Sequence, residues 1–193
     1  MWNGDRRNFE LLAEHNVNLV KESGASVLVT SCAECLRTWK LDYEPLLTGT
    51  DIRVCHITEY LADNLDILEF SPDGRRKITY QDPCRLGRHL GIYDPPRKIL
   101  EAMPGIEFEE MGRKGPGAMC CAGGTWSNCD RFAKKMQVDR LREARTTGAE
   151  VMVTACPKCQ IHFRCAMNDP NLGDEITIEM RDIAEVIVEA LAD

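Results

Sequence analysis

Apolar residues along this chain follow two patterns that alternate, and they predict helices and short buried strands in turn. Apolar positions recur at helical spacing in six segments, at residues 6–23, 41–47, 56–65, 94–105, 129–148 and 179–193. Short apolar runs of the kind found in buried strands occur at residues 24–31, 74–84, 106–111 and 149–155. Helices that alternate with buried strands predict an α/β fold with mostly parallel sheets and flanking helices.

Three details of these elements are specific enough to be checked. Thr58 is a suitable N-cap for the helix predicted at 56–65, because its hydroxyl could accept a backbone N–H. In the helix at 129–148, we expect Phe132, Met136 and Leu141 near one apolar face. The strand at 74–84 is expected to end at Cys84.

An internal repeat relates the two ends of the chain. The segments GASVLVTSCAEC (24–35) and GAEVMVTACPKC (148–159) are identical at seven of twelve positions, with an offset of 124 residues. The same offset continues upstream without a gap and places Trp2 on Trp126 and Arg7 on Arg131. Because each half contains a helix, a strand and a CxxC motif in the same order, we interpret the pattern as a duplication.

The two copies of the repeat differ in extent. We expect residues 1–75 to form a truncated first repeat and residues 76–193 to form a complete second repeat. Carried further back, the offset would place the counterparts of Cys120 and Cys121 just before Met1. We therefore interpret the sequence as the C-terminal portion of a longer protein with two repeats.

Composition excludes several classes of protein. The net charge of −7, without a basic stretch, argues against a nucleic-acid surface. No apolar run approaches the roughly 18 residues that a membrane span needs, and the first residues contain no secretory signal. We expect a cytoplasmic protein that reaches a membrane only through a partner subunit.

The chain contains ten cysteines, which is more than an ordinary protein of this size contains, and this number calls for a specific role. A secreted disulfide framework would suit a smaller domain behind a signal peptide. In a reducing compartment, metal ligands or redox-active thiols explain the cysteines better, and their spacing must distinguish these possibilities.

Five cysteines of the second repeat are expected to converge on one site. Cys84 and Cys156 each follow a predicted strand, so they belong to the edge of the sheet where ligand sites form. Cys120 and Cys121 lie in a glycine-rich loop before a helix, and Cys159 completes the CxxC motif. Adjacent thiolates rarely pair with each other, but they can bind different irons of one cluster. Gly115, Gly117, Gly123 and Gly124 would let the backbone approach such a cluster closely.

Two other interpretations of the cysteines remain open at this point. A zinc site could be built from the two CxxC motifs, at 32–35 and 156–159, since four thiolates satisfy tetrahedral zinc. The five cysteines could also be buried free thiols or redox-active thiols.

The motifs DPCRLGRHLG, MCCAGG and TGAEVMVTACPKC resemble the cysteine-rich CCG domain of heterodisulfide reductases. Their sequences are most similar to the B-type and D-type polypeptides of those enzymes. More distant relatives include iron–sulfur subunits of glycolate oxidase, anaerobic glycerol-3-phosphate dehydrogenase and lactate utilisation. The chain departs from the family pattern at Ala122, where the motif has glycine, and its first repeat retains only Cys32 and Cys35.

The resemblance implies both a cofactor and its ligands. In that family the motif binds a noncubane [4Fe–4S] cluster, which by position would use the five residues Cys84, Cys120, Cys121, Cys156 and Cys159. It further implies an oxidoreductase subunit of anaerobic metabolism that delivers single electrons to a small disulfide. Such a subunit would act on a sulfur group only within a complex that contains ferredoxin-like, flavin or cytochrome b partners.

The resemblance leaves two other functions open. The chain could relay electrons for a flavin-dependent dehydrogenase that oxidises lactate, glycolate or glycerol-3-phosphate. It could also be a zinc-stabilised interaction module without enzymatic activity.

Residues outside the five-cysteine motif carry weaker expectations. His89 is expected on the surface or behind the ligands, with proton delivery to a leaving thiolate as the alternative role. Arg85, Arg88 and Arg97 would be solvated, or would attract an anionic substrate or offset the charge of a cluster. His56 and His162 are expected to be structural. The three cysteines without a place in the motif are expected to be small buried side chains: Cys55, Cys129 and Cys165.

Overall fold

The α/β fold is confirmed, and every strand pairing within a sheet of the described residues is parallel. The computed structural model describes residues 4–72, 75–123 and 130–192. In these ranges the strands form a two-stranded sheet in the order β1-β2 and a four-stranded sheet in the order β4-β3-β5-β6. None of the described helices is both long enough and apolar enough to cross a membrane.

Helices flank both sheets. The strands are β1 (Val27–Thr30), β2 (Arg53–His56), β3 (Arg76–Gln81), β4 (Ile106–Phe108), β5 (Val151–Thr154) and β6 (Glu179–Asp182). The α-helices are α1 (Arg6–Glu22), α2 (Ala33–Arg37), α3 (Glu44–Leu47), α4 (Ile57–Ala62), α5 (Gly87–Leu90), α6 (Asp94–Ala102), α7 (Arg131–Thr146), α8 (Pro157–Met167) and α9 (Ile183–Ala190). Single π or 3₁₀ turns occur at Thr38–Asp42, Leu65–Ile67, Gly115–Gly117 and Asp174–Ile176.

The repeat seen in the sequence is also present in the structure. Strands β1 and β5 occupy positions that differ by the same 124-residue offset, and each pairs in parallel with the next strand along the chain. Beyond these strands the offset becomes 126 residues, so that β2 corresponds to β6 and α4 to α9. Helices α4 and α9 both begin with a capping box, at His56 with Glu59 and at Asp182 with Glu185. The boundary between residues 75 and 76 stays a prediction.

One hydrophobic core joins the two halves. Ala33 and Leu36 of α2 are fully buried in the same cluster as Ile78 and Tyr80 of β3. A smaller second core lies around Tyr43, between α1 and α3. Because α2 belongs to the first half and β3 to the second, the halves share apolar burial as the segments of a single domain do.

Three helix and strand predictions were wrong. Strand β6 lies inside the segment 179–193 that we assigned to a helix, and β2 was not predicted, with only its last residue in the helix predicted at 56–65; RVCH and EMRD acquire strand geometry by pairing with β1 and β5. Thr58 is not the N-cap of α4: His56 takes that position, and its Nδ1 accepts the backbone N–H of Thr58 at 3.2 Å. Strand β3 ends at Gln81, three residues before Cys84, because Asp82-Pro83 turns the chain away.

The buried face of α7 also differs from our prediction. Phe132 is 64% exposed and Met136 is also exposed, whereas Leu141 is buried. The buried stripe includes the polar residues Gln137 and Arg140. Gln137 Nε2 lies 3.3 Å from His162 Nδ1 and Arg140 Nε donates to Gln81 Oε1 at 2.6 Å, while Arg140 Nη2 is buried without a hydrogen-bond partner among the described residues. Periodicity of apolar residues alone therefore pointed to the wrong face of the helix.

His56 provides a test of the fold through the pH dependence of stability. Burial lowers the pKa of this histidine to about 4, and the imidazole is fully buried. In the unfolded chain the imidazole binds a proton near pH 6.5, whereas in the folded protein it does so only near pH 4. The free energy of unfolding is therefore highest above pH 6.5 and falls as the pH drops from 6.5 to 4. Asparagine at position 56 would keep an N-cap acceptor but could not bind a proton. We therefore expect His56→Asn to reduce the decrease in the free energy of unfolding between pH 6.5 and 4 by about 3 kcal/mol.

The measurement is urea unfolding of both proteins at several pH values between 4 and 7. His15→Asn, at an exposed position of α1, is the matched control, and its free energy of unfolding should change with pH as that of the wild type does. Parallel pH profiles for His56→Asn and the wild type would contradict a buried neutral histidine.

Candidate functional site

The structure brings the five cysteines of the second repeat together at the carboxyl edge of the four-stranded sheet. Cys84 lies in the turn after β3, and Cys156 is the N-cap residue of α8 after β5. Cys159 lies in the first turn of α8, and Cys120 and Cys121 lie in the loop before α7. Cys121, Cys156 and Cys159 are buried, while Cys84 and Cys120 are partly exposed.

The five thiols form one continuous chain of sulfur contacts. Cys84 is hydrogen-bonded to Cys120, Cys120 to Cys121, Cys121 to Cys159 and Cys159 to Cys156. Each thiol therefore has at least one other thiol as a direct neighbour, although the five residues span 76 positions of sequence. This contact chain is the geometric feature that the spacing of the motif predicted.

The contacts shift the pKa values of the thiols in opposite directions. Hydrogen bonds from Cys121 and Cys84 lower the pKa of Cys120, and the hydrogen bond from Cys159 lowers the pKa of Cys156. The thiols that donate these hydrogen bonds, Cys84, Cys121 and Cys159, have raised pKa values. The contacts thus favour the ionised form at Cys120 and Cys156, and the thiolate is the form of cysteine that binds metals.

A cavity of about 170 Å³ lies between these thiols, and charged side chains line its rim. All five cysteines contribute to its wall, together with Glu34, Arg85, His89 and Lys158. The Lys158 ammonium lies 3.2 Å from the Glu34 carboxylate, and Arg85 Nε lies 3.6 Å from the same oxygen. In the described ranges no group of three or more His, Cys, Asp or Glu side chains is arranged to hold a single metal ion.

The carboxyl end of β3 holds the paired-cysteine loop at two points. Gln81 Nε2 donates to the carbonyl of Met119, directly before Cys120, at 2.9 Å. The backbone N–H of Gly115 donates to Asp82 Oδ2 at 2.8 Å, at the start of the same loop. Gln81 is held in turn by the buried Arg140, whose Nε donates to Gln81 Oε1 at 2.6 Å.

Steric and backbone constraints act on the two residues directly after the paired cysteines. A Cβ at Gly123 would lie 3.0 Å from His162 Cδ2 and 3.2 Å from Cys121 Sγ, so a side chain there would crowd the site. Ala122 has φ +60°, and it is the one non-glycine residue with positive φ in the described ranges. Left-handed backbone costs about 1–2 kcal/mol for a residue with a Cβ, so Ala122 carries strain that glycine would avoid.

The glycine prediction holds only in part. Gly115 has φ +55° and Gly123 lies against the site, as described above. A Cβ at Gly117 would meet open space, so nothing in the structure explains this glycine. Gly124 lies outside the described residues, as do Trp2, Trp126 and Cys129.

The CxxC motif of the first repeat lies beside the site but outside the contact chain of the five thiols. Cys32 is the N-cap residue of α2, the place that Cys156 has in α8, and burial raises the pKa of its thiol to about 11. The charge of Cys156 acts on Cys32, which places the two sulfurs in the same neighbourhood. Cys35 is exposed.

The remaining predictions for individual side chains have mixed outcomes. His89 lines the cavity, with its ring nitrogens 3.4 Å from an Arg85 nitrogen. Arg97 is neither solvated nor directed at the site, because Asp82 and Glu110 bind its guanidinium inside the protein. Cys55 is buried as expected.

Cys165 differs from the expectation of a small buried side chain. The residue is exposed near the C-terminal end of α8, and the Lys134 ammonium lies 3.6 Å from its sulfur.

Sequence reasoning singled out Arg85 and His89 but missed four other polar side chains that organise the site: Glu34, Gln81, Arg140 and Lys158. Glu34 and Lys158 occupy the same position in the two copies of CxxC, 124 residues apart. Their opposite charges in equivalent positions were a signal that the two motifs face each other. Gln81 and Arg140 carried no comparable signal, because polar residues in a strand and on a helix are ordinarily solvated.

The strained backbone at Ala122 leads to a direct prediction for stability. We expect Ala122→Gly to raise the stability of the protein by about 1 kcal/mol, because relief of the left-handed strain exceeds the entropy cost of glycine. The melting temperature should then rise by about 2–4 °C for a chain of this size, measured by circular dichroism.

Ala118→Gly in the same loop is the matched control. Ala118 has φ −59°, where an alanine is unstrained, so glycine there should lower the melting temperature. A lower melting temperature for Ala122→Gly as well would contradict the strained geometry.

Comparison with known proteins places the chain in a family. The profile of the CCG cysteine-rich domain matches residues 1–40 and 78–164. The D-type polypeptide of the dihydromethanophenazine:CoB–CoM heterodisulfide reductase of Methanosarcina acetivorans is 35% identical over 186 residues, which cover 93% of this chain and 44% of that protein. The B-type polypeptide of the fumarate reductase (CoM/CoB) of Methanothermobacter marburgensis is 34% identical over 186 residues, 95% of this chain and 36% of that protein.

A third relative is named for its cofactor. The protein of Bacillus subtilis called "Probable iron-sulfur-binding oxidoreductase FadF" is 31% identical over 193 residues, 97% of this chain and 27% of that protein. The chain thus spans less than half the length of each of these relatives. It belongs to the family of cysteine-rich CCG domains and is homologous to the D-type polypeptide of heterodisulfide reductase and to related iron–sulfur proteins.

Proposed function

We propose that this chain is an iron–sulfur electron-transfer subunit of the heterodisulfide reductase type. The observation that carries the proposal is the continuous contact chain of five thiols around one cavity. The homologous proteins are subunits of reductases or are named as iron–sulfur oxidoreductases, which supports a redox role.

The residues present fit an iron–sulfur cluster. Five cysteines in one contact chain can supply the thiolates that hold iron–sulfur clusters, and the lack of a Cβ at Gly123 leaves space beside Cys121. We propose one [4Fe–4S] cluster of the noncubane type, held by Cys84, Cys120, Cys121, Cys156 and Cys159. When bound, such a cluster supplies one-electron transfer, which in this proposal serves the reduction of a small disulfide.

The charged side chains at the rim would set the electrostatics of the site. Sulfur contacts dominate the pKa values of both outer thiols and raise that of Cys84 while lowering that of Cys120; the charge of the Arg88 guanidinium is a smaller contribution that favours ionisation of both. Lys158 and Arg85 add positive charge, and Glu34 offsets part of it. Positive charge near thiolates stabilises their ionised form, so these side chains favour retention of a metal.

His89 is the proton-carrying group at the cavity. Burial, followed by the charges of Arg85 and Arg37, lowers the pKa of its imidazole, so the ring is neutral near pH 7. A ring with a lowered pKa binds a proton only weakly, so at the cavity it could pass a proton from solvent to a leaving thiolate, as reduction of a disulfide requires. We therefore keep proton delivery as the proposed role of His89.

The activity of this chain would require other polypeptides. The proposed partners are redox subunits of the ferredoxin-like, flavin or cytochrome b kind, and any membrane attachment would occur through them. The relatives are subunits of reductases, which supports assembly into a complex.

A second candidate function is electron relay for a flavin-dependent dehydrogenase of lactate, glycolate or glycerol-3-phosphate. The relative of Bacillus subtilis is compatible with it, because that protein is named as an iron-sulfur-binding oxidoreductase without a disulfide substrate. The two functions differ at the cavity. Disulfide reduction requires that a substrate sulfur enters beside His89, whereas relay requires only an exposed route for electrons.

Iron content tests the ligand assignment. In protein purified without oxygen, we expect about four irons and four acid-labile sulfides per chain, and Cys121→Ala should lose most of both. Cys165→Ala is the matched control, because Cys165 is exposed and outside the five-thiol set. Iron and sulfide are measured chemically, and the electron paramagnetic resonance spectrum shows whether a thiol substrate perturbs the bound cluster.

Two outcomes would overturn the proposal. Equal loss of iron in Cys121→Ala and Cys165→Ala would contradict the assignment of ligands. About one zinc per chain without sulfide would instead indicate a zinc-stabilised interaction module.

A further inference from the structure

A buried histidine lies behind the paired-cysteine loop. His162 belongs to α8, three residues after Cys159, and is 8% exposed. Residues three positions apart on a helix are neighbours on its surface, so His162 lies on the side of α8 where Cys159 meets the other thiols. Cys121 is one of those thiols, since it is hydrogen-bonded to Cys159.

Gly123 lets the imidazole of His162 approach the sulfur of Cys121. A Cβ built on this glycine would lie 3.2 Å from His162 Nε2 and 3.2 Å from Cys121 Sγ. The two atoms therefore border the same small space, which a side chain at position 123 would fill. The charge of Cys120 also acts on the imidazole, which places the ring near both paired cysteines.

Gln137 fixes which ring nitrogen carries the proton. Its side chain is fully buried on α7, and its Nε2 lies 3.3 Å from His162 Nδ1. An amide nitrogen only donates hydrogen bonds, so Nδ1 must accept. The proton of the imidazole is therefore on Nε2, the nitrogen that borders the space beside Cys121.

We propose that His162 is a positioning residue whose Nε2–H is directed at the Cys121 sulfur and acts through it on the cluster. The inference rests on the proposed function, because it assigns His162 a role toward a cluster bound by Cys121. An N–H donor stabilises negative charge on sulfur, and a reduced cluster carries one more negative charge than an oxidised one. His162 therefore raises the reduction potential of the site.

This role differs from that of His89. His89 is exposed and lines the cavity, where it can exchange protons with solvent, whereas His162 is buried between α7 and α8. The backbone N–H of Gly123 already donates to the Cys121 sulfur, and the imidazole adds a second donor beside it. Donors to a metal-bound thiolate are a general means by which a protein sets the potential of its metal site.

The test measures the midpoint potential in the full chain purified without oxygen, by redox titration followed with electron paramagnetic resonance. His162→Leu removes the N–H donor and keeps a buried side chain of similar size. At a fixed potential we expect the ratio of reduced to oxidised cluster to fall about tenfold, which corresponds to about 59 mV for one electron. His162→Gln, which keeps an N–H donor, should restore most of the wild-type ratio.

Phe163→Leu is the matched control. Phe163 is the next residue of α8 and is fully buried in the core, so this variant loses packing without loss of a donor, and the potential should stay unchanged. An equal shift in Phe163→Leu would attribute the effect to packing and overturn the proposal. An unchanged potential in His162→Leu would overturn it, as would loss of iron from both His162 variants. Loss of iron from His162→Leu alone, with the wild-type potential kept in His162→Gln, would support the donor role.

A second measurement needs no iron. In the iron-free full chain, nitrogen-15 magnetic resonance of labelled histidine should show the proton of His162 on Nε2, and a proton on Nδ1 would overturn the proposal. Wild-type protein without iron and sulfide would overturn the proposed function together with this inference. Bound iron with a potential that His162→Leu leaves unchanged would overturn this inference alone.

Discussion

The candidate site depends on the way the carboxyl end of β3 holds a distant loop. Two consecutive residues, Gln81 and Asp82, bind the backbone of the paired-cysteine loop at Met119 and Gly115. The buried Arg140 fixes Gln81 from the other side, so strand, loop and helix α7 are joined by one polar network. A buried network of this kind is stable only when its members are nearly all satisfied, which makes the position of the loop well defined. The same network holds the loop that carries Cys120 and Cys121 beside the other three thiols.

The second constraint is the contact between the two CxxC helices. Helices α2 and α8 begin with equivalent cysteines, and the first turns of the helices meet through the ion pair of Glu34 with Lys158. Lys158 is only 4% exposed, so this pair is largely removed from water. Removing either partner would leave a charge poorly compensated. The first repeat is thus part of the wall of the site in the second repeat, even though its own CxxC motif stays outside the chain of thiol contacts.

Much of the site could be predicted because parallel strands end at a common edge. Cys84 and Cys156 follow β3 and β5, neighbours in the sheet, so their proximity followed from order and spacing alone. The strands β2 and β6 were missed because four residues such as RVCH or EMRD are too few to show a strand periodicity. Their strand conformation comes from hydrogen bonds to β1 and β5, which lie far away in sequence. The prediction of the buried face of α7 was wrong for a similar reason. Arg140 and Gln137 can be buried only beside polar partners from other elements, and the periodicity of apolar residues does not reveal those partners.

The sequence by itself determined the α/β class, the duplication and the five cysteines that the structure brings together. These properties depend on local patterns of apolar residues and on intervals along the chain, both of which can be read without coordinates. Only the tertiary structure decided which charges face the cavity, how the paired-cysteine loop is held, and which histidine nitrogen borders the paired cysteines. Those features arise from contacts between residues distant in sequence, where burial changes the free energy of a charge or hydrogen bond in a way that no local pattern records.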